Sequence, residues 1–477
     1  MAFLGYTHDQ FPKWVKKVEQ FPVLLYILKW VLIGTLVGGL TGIGSALFLW
    51  GLHWATSWRG DHQWIIFALP IGGFLIGACY YYLGQNVVKG NNQLLDEITR
   101  PNKIIPLKMA PLVTIATIAT HLFGGSAGRE GTAVQMGGAI ADQFTKIFKL
   151  DKYDRKILII SGIAAGFSSV FGTPLAGAIF GLEVYIIGRM RYEAIFPSFF
   201  TAIVANYATH HLGHELGIHH TDYFALFFDG ITIPEMTIQN LLICVTAGVA
   251  FGLTGMLFSK ANHFWGNLFK SNIKYAPARP MIGGVVLAIA IVLLNINHGF
   301  DYANYDMKYF GLGVPVIKES FTVQMHWYDF LMKTLTTSFT LGAGFKGGEV
   351  TPLFYIGSTL GSYLSTFDFY NAIPVALLAG MGFVGVFSGA TNTPMACTVM
   401  GIELFGHESA VFIAVACITA YMFSGHTSIY SSQILGSPKH VGQENEKGNT
   451  LSEIEVIREN EKKHIENHHK KDQDKKQ

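Results

Sequence analysis

Two stretches of this chain combine residue types that could handle an anion. In "GSAGREGTAVQMGG", residues 125–138, Arg129 and Glu130 stand side by side inside an apolar, glycine-rich run. In "GAGFKGGEVTPLFYIGSTLG", residues 342–361, Glu349 follows a second glycine-rich turn. A turn of this kind before a helix leaves the first backbone N–H groups unpaired and aims the positive end of the helix dipole at one point. That is an anion site made of backbone, with no need for a full positive charge. Two such ends converging would hold a small dehydrated anion. Glu130 stands at the mouth of the first. When ionised, its carboxylate can take the anion's place, and when protonated it can leave, which couples anion occupancy to a proton. An ionisable group deep in a membrane costs ~2.5–3.5 kcal/mol on insertion scales, which makes it a functional candidate. The competing reading is a simple Arg129–Glu130 pair, or a carboxylate that caps its helix.

The elements that must position these residues are apolar. Half of the 477 residues are hydrophobic and only 14% are charged, with a net charge of +2. Soluble domains carry about a quarter charged residues. Apolar stretches recur along most of the chain, among them 22–51, 64–83, 156–187, 237–258 and 373–424. Several could cross ~30 Å of hydrocarbon as helices of ~20 residues. Others are cut by Gly or Pro into shorter pieces, the pattern of broken or re-entrant helices. The expectation is an all-α, multi-pass membrane protein. The polar, basic N-terminus (Lys13, Lys16, Lys17) is unlike a signal peptide. Lysines near a span at both ends place both termini in the cytoplasm. The tail after Gly436 is dense in charged residues and is expected to be disordered. The four cysteines, all in apolar segments, suit neither a disulfide framework nor a zinc site.

The chain also repeats itself. "FSSVFGTPLAGAIFGLEV" (167–184) and "FSGATNTPMACTVMGIEL" (387–404) share seven of eighteen positions at an offset of 220, including Glu183 and Glu403. "GREGTA" (128–133) lies on "GGEVTP" (347–352) at an offset of 219, aligning Glu130 with Glu349 and Thr132 with Thr351. The organisation expected is an N-terminal segment 1–21, repeats over 22–220 and 221–436, and a tail 437–477. Repeats containing Gly-interrupted apolar helices mark secondary transporters, whose sites lie between the repeats at broken-helix ends. The repeat alone leaves open whether the halves are parallel or inverted.

"GREGT", "GGEVTP", "FGTPLAGAIFGLEV" and "GHTSIY" (425–430) resemble, in order, the motifs of the CLC superfamily of anion channels and anion/proton antiporters. The resemblance covers roughly residues 25–435. It implies an inverted repeat of tilted helices, and a homodimer with one pathway per subunit. It makes Glu130 the gating glutamate and Tyr430 the tyrosine that contacts the central anion. Departures from the chloride-handling pattern are informative. The usual GSGIP is replaced by "GNNQLLDEI" (90–98), with Asn91 at the serine position, though Asn92 is an alternative. Thr132 replaces a proline, GGEVTP adds Glu349 and Thr351, and Val184 stands where many exchangers carry an inner glutamate. These changes resemble the fluoride-specific branch, the bacterial CLC-F type fluoride/proton antiporters. Fluoride is smaller and more strongly hydrated than chloride and demands closer donors, which an asparagine amide and threonine hydroxyls supply.

The resemblance therefore implies a transporter in a bacterial inner membrane that exports fluoride in exchange for protons. The anion would be held by Asn91, Thr132, Thr351, Tyr430 and the backbone at Gly131 and Val350. Glu130 and Glu349 would carry the coupling. No cofactor, metal, nucleic acid or covalent chemistry is expected. A chloride/proton antiporter or a passive channel of the same fold is the alternative. The histidine run "THHLGHELGIHH" (209–220) does not support a metalloenzyme. Its His214 and His219 are five residues apart, not the four that H-E-x-x-H requires, and it reads as a solvated loop. Glu183 and Glu403 suit helix contacts or buried hydrogen bonds rather than transport.

Overall fold

The computed structural model describes residues 20–218, 232–298, 305–441 and 443–460. The expected N-terminal segment therefore lies almost wholly outside the described residues, as do His219 and His220. The first repeat comprises α1 (Gln20–Asp61), α2 (Leu69–Leu83), α3 (Asn91–Thr99), α4 (Met109–Leu122), α5 (Glu130–Ile147), α6 (Lys152–Phe171), α7 (Pro174–Glu183) and α8 (Ile195–Glu215). The second follows in the same order: α9 (Ile238–Asn272), α10 (Ala278–Leu294), α11 (Val314–Glu319), α12 (Asp329–Ala343), α13 (Val350–Leu364), α14 (Val375–Thr391), α15 (Pro394–Phe405) and α16 (Ala410–Phe423). A last helix, α17, covers 451–460.

Among the described residues, three helical stretches are long and apolar enough to cross a membrane: Gln20–Asp61, Gln63–Leu83 and Ile238–Asn272. Several others are apolar but shorter, such as α4, α7 and α15. With 42 residues, α1 is roughly 60 Å long at 1.5 Å per residue, about twice the hydrocarbon thickness. Its outer face carries Leu24, Leu28, Leu32, Leu36 and Leu40, all exposed. This every-fourth-residue apolar stripe suits lipid rather than water.

The interior is inverted in polarity, with apolar rings and polar networks together. Phe354 stacks on Phe383 with centroids 4.0 Å apart, and Phe167 stacks on Phe180 and on Phe387 across the repeats. Bare backbone lets the central helices cross closely. A Cβ on Gly166 of α6 would fall 2.1 Å from the Ala133 oxygen of α5, and one on Gly382 of α14 would fall 2.1 Å from the Gly357 oxygen of α13. The helix pairs are equivalent: at the offset of 220 Gly382 matches Gly162, whose Cβ would fall 2.6 Å from the Gly137 oxygen.

The register of the repeat is corrected by one residue. Gly128 pairs with Gly348 in an antiparallel bridge, and α5 and α13 begin at Glu130 and Val350. The offset is thus 220 here as well as in the other match. Glu130 is equivalent to Val350, not to Glu349, and Glu349 is equivalent to Arg129. Exchange of hydrogen bonds in an antiparallel bridge between equivalent residues is what an inverted repeat produces.

The hydrogen bonds expected of Glu183 and Glu403 are reciprocal, buried or partly so at Glu183 and more exposed at Glu403. Glu183, ending α7, accepts from Met395 N (3.2 Å) and Ala396 N (2.9 Å) at the start of α15. Glu403 of α15 accepts from Leu175 N (3.0 Å) and Ala176 N (2.7 Å) at the start of α7. Each carboxylate thus fills the orphan donors of the other repeat's helix.

Two expectations differ from the structure. His210, His211 and His214 belong to the last turns of α8, not to a loop. The stretch after Gly436, expected to be disordered, is ordered through 460 apart from residue 442, which lies outside the description. Leu451 and Ile454 of α17 are buried against Ile187 and Leu435, three residues apart on one helix face that the surrounding charges disguise. Short strands β1 (Ile186–Ile187) and β2 (Ile434–Leu435) pair in parallel, and α17 is tied down by Arg100–Glu453 at 3.0 Å. The Thr450 N–H, with Arg100, holds the Glu453 carboxyl below the usual carboxylate range. Lys439 caps the end of α16, donating to Tyr421 O and Gly425 O at 2.6 Å and to Ser424 Oγ at 2.9 Å.

Replacing Glu183 by Ala leaves two buried N–H groups of α15 without acceptors. The expected cost is ~1–3 kcal/mol of stability, read as a lower melting temperature of the purified protein in detergent, with anion preference unchanged.

Candidate anion and proton site

The site grows from the glycine pairing. Gly128 N donates to Gly348 O at 2.6 Å and Gly348 N returns the bond to Gly128 O at 2.8 Å. Side chains would prevent it: a Cβ on Gly347 would meet the Ala127 Cβ at 2.4 Å, and one on Gly348 would meet Gly131 N at 2.7 Å. With the loops joined, the N-termini of α5 and α13 converge.

Glu130 is fully buried and reaches across to the second repeat. Its Oε2 accepts from Thr351 N at 3.1 Å and from Thr351 Oγ1 at 2.6 Å. A carboxylate thus occupies the helix N-terminus that would otherwise receive an anion. Arg129 finds its partner in its neighbour, with Nε 3.3 Å from Glu130 Oε1. The ion pair weighed from sequence is present, and the same carboxylate lies at the N-terminus of α13.

Asn91 opens α3 after Gly90, whose φ of 57° lies in the left-handed region that glycine tolerates. The Asn91 Nδ2 and the Glu349 Oε2 both lie against Gly131, 3.1 and 3.4 Å from where its Cβ would be. The Asn91 Oδ1 and Glu349 Oε2 are buried without hydrogen-bond partners, and such groups call for an explanation. The neighbouring Asn92 is committed elsewhere, its Oδ1 accepting from Ser432 N at 3.0 Å. Tyr430 is buried. With Asn91 and Glu349 it lines a cavity of about 150 Å³, shared with Tyr80, Gln135 and Lys346. A second, smaller cavity joins Asn91 and Tyr430 to Val184. Val350 is buried at the first position of α13. Thr132 stands apart: its hydroxyl is 2.7 Å from Thr117 Oγ1 of α4, not at the Glu130 carboxylate.

Two supports hold this arrangement, and the sequence reading missed both. The Tyr430 loop is pinned by Gln433, whose Nε2 donates to Val184 O at 2.6 Å and Thr391 O at 2.7 Å. The Asn91 helix is anchored at its far end. Arg155 of α6 donates two 2.7 Å bonds to Asp142 of α5 and one of 3.0 Å to Glu97 of α3. Asp142, fully buried, also accepts from Ile105 N at 2.8 Å. These partners are 13 and 58 residues apart in the chain, a separation that local patterns cannot register. Lys346 was equally visible as a charge in a glycine-rich apolar turn, the signal that drew attention to Arg129 and Glu130.

A duplicated helical membrane fold with a carboxylate at a helix N-terminus between its repeats is the arrangement of an anion-transport protein. The family described as voltage gated chloride channel matches residues 72–425, and the chain belongs to it, as a CLC-type anion/proton antiporter or channel. A "Chloride/fluoride channel protein" of Pseudomonas syringae pv. tomato is 50% identical over 425 residues, which are 89% of this chain and 90% of the relative. The crystal structure of a CLC-type fluoride/proton antiporter is 34% identical with a TM-score of 0.77, covering 85% of this chain and 97% of that one. A slow cyanobacterial Cl-/H+ antiporter shares the fold at 19% identity and a TM-score of 0.70, over 83% of this chain and 94% of that one.

Arg155→Met strands the buried Asp142 charge. The expected loss is ~3–5 kcal/mol of stability, and Asp142→Asn in the same background restores part of it, both followed by thermal unfolding of the purified protein.

Proposed function

We propose that this protein exports fluoride in exchange for protons, as a homodimer with one pathway per subunit, in a bacterial inner membrane with both termini cytoplasmic. The observation that carries the reading is the Glu130 carboxylate on Thr351 N and Oγ1. Ionised, Glu130 fills the anion position. Protonated, it loses its attraction for the helix dipole and for Arg129 and yields the position to the anion, so each exchange moves a proton against an anion.

Fluoride suits the surrounding donors. A small, strongly hydrated anion needs short bonds to replace its water, and charge-assisted hydrogen bonds are roughly twice as strong as neutral ones. The Thr351 hydroxyl, the Asn91 amide, the N–H groups of Gly131 and Val350, and Tyr430 are the donors assigned to it. Thr132, turned toward Thr117, acts by shaping α5 rather than by touching the ion. Glu349 is the second proton carrier, since Val184 offers none at the small cavity it shares with Tyr430. The names of the relatives support fluoride as the substrate: one is a chloride/fluoride channel protein and the other a fluoride/proton antiporter.

The test is efflux from liposomes loaded with fluoride or chloride, recording anion release and internal pH together. Fluoride release with proton uptake is expected from the wild type. Glu130→Gln keeps a hydrogen-bonding group that holds no exchangeable charge, so proton uptake should vanish. Glu349→Gln should reduce it by at least tenfold, about 1.4 kcal/mol in the transport barrier. Fluoride release without proton movement would make the protein a passive channel. Chloride outrunning fluoride would make it a chloride exchanger.

A further inference from the structure

Lys346 lies in the turn before α13, three residues ahead of Glu349. Its ammonium stands over the Tyr80 ring, 4.3 Å from the centroid, and it faces the cavity of about 150 Å³ that also holds Asn91, Glu349 and Tyr430. Among the described residues, no carboxylate lies within 4 Å of this ammonium and no acceptor takes a hydrogen bond from it. A largely buried cation with no carboxylate in contact is costly, and a ring face returns only part of that cost; Glu349 attracts it from beyond contact distance while Lys270 repels it. Glu349 is the one acidic residue lining the cavity, and its Oε2 also lacks a partner. The two charges border one small space without closing on each other. The Tyr80 ring lies under the ammonium, and Asn91 and Gln135 line the same space with their amide donors. A cation, amide donors and an unfilled volume in contact with the Tyr430 wall form a receptor for a small, hard, monovalent anion.

We propose that Lys346 is an anion-binding residue of the transport pathway, holding fluoride in this cavity as it passes to or from the position that Glu130 occupies. The inference rests on the fluoride/proton reading. In it the anion, while present, supplies the counterion Lys346 lacks, and Tyr80 positions the ammonium so that Glu349 stays free to exchange its proton. The lysine is therefore a specificity and affinity determinant, distinct from the coupling carboxylates.

The full-length protein in detergent is titrated with sodium fluoride by calorimetry, and efflux from liposomes is measured over a range of fluoride loads, for wild type, Lys346→Met, Lys346→Gln and Lys346→Arg. Loss of one charged hydrogen-bond partner should raise the dissociation constant and the half-saturating fluoride about tenfold or more, with the maximal rate within about twofold. Lys346→Arg should recover most of the affinity. Melting temperatures identify any variant that does not fold, and the remaining ones then decide. Wild-type half-saturation in Lys346→Met or Lys346→Gln, or a fall in maximal rate alone, would overturn the proposal. A wild type that binds fluoride but moves none fails the transport reading only, and the calorimetric comparison still judges Lys346.

Discussion

The whole arrangement depends on two backbone hydrogen bonds exchanged between Gly128 and Gly348. They join the two repeats at equivalent points, and they exist only because residues 128, 347 and 348 have no side chains to hold the loops apart. Once the loops touch, the geometry of an α-helix does the rest. Two N-termini face one volume, and each brings orphan N–H groups to it. The reach of Glu130 to Thr351 is short because of this contact.

The scaffold is symmetric and the site is not. At the position before each central helix, one repeat places Arg129 and the other Glu349. At the first helical position, one places Glu130 and the other Val350. A strict duplicate would confront two like charges across the glycine bridge, each destabilising the other. Instead the first repeat supplies a neutralised pair and the second supplies hydroxyl and backbone donors. The buried charge of Glu130 is tolerable because Arg129 and Thr351 surround it with compensation. Glu349, with one oxygen left without a partner, has only its own N–H and the more distant Lys346 ammonium to offset its charge. The unequal halves thus put one ion pair, and not two facing like charges, beside the glycine bridge.

Much of this was legible in the amino-acid order. The duplication, the helix N-termini and the importance of Glu130 follow from glycine turns, proline starts and charges stranded in apolar surroundings, all local features. What was misread depended on partners far away in the chain. A one-residue offset between the motifs cannot be resolved by matching Glu to Glu, because the physical alignment is made by backbone pairing at Gly128 and Gly348. The C-terminal helix looked disordered because Lys and Glu dominate its composition, while the two residues that dock it, Leu451 and Ile454, are only a fraction of its length. The Arg155–Asp142–Glu97 network was invisible for the same reason. Each residue taken alone reads as an ordinary surface charge, and only the folded arrangement shows it fastening the Asn91 helix to the Glu130 helix.

That C-terminal segment bears on how the protein is made. Ser452 N and Leu451 N bond to Ser431 O and Gln433 O, so the stretch just beyond Tyr430 is clasped by residues near the end of the chain. During synthesis these residues follow every described membrane helix out of the ribosome. The loop that carries Tyr430 is therefore clasped only after the helices packed around it have been made.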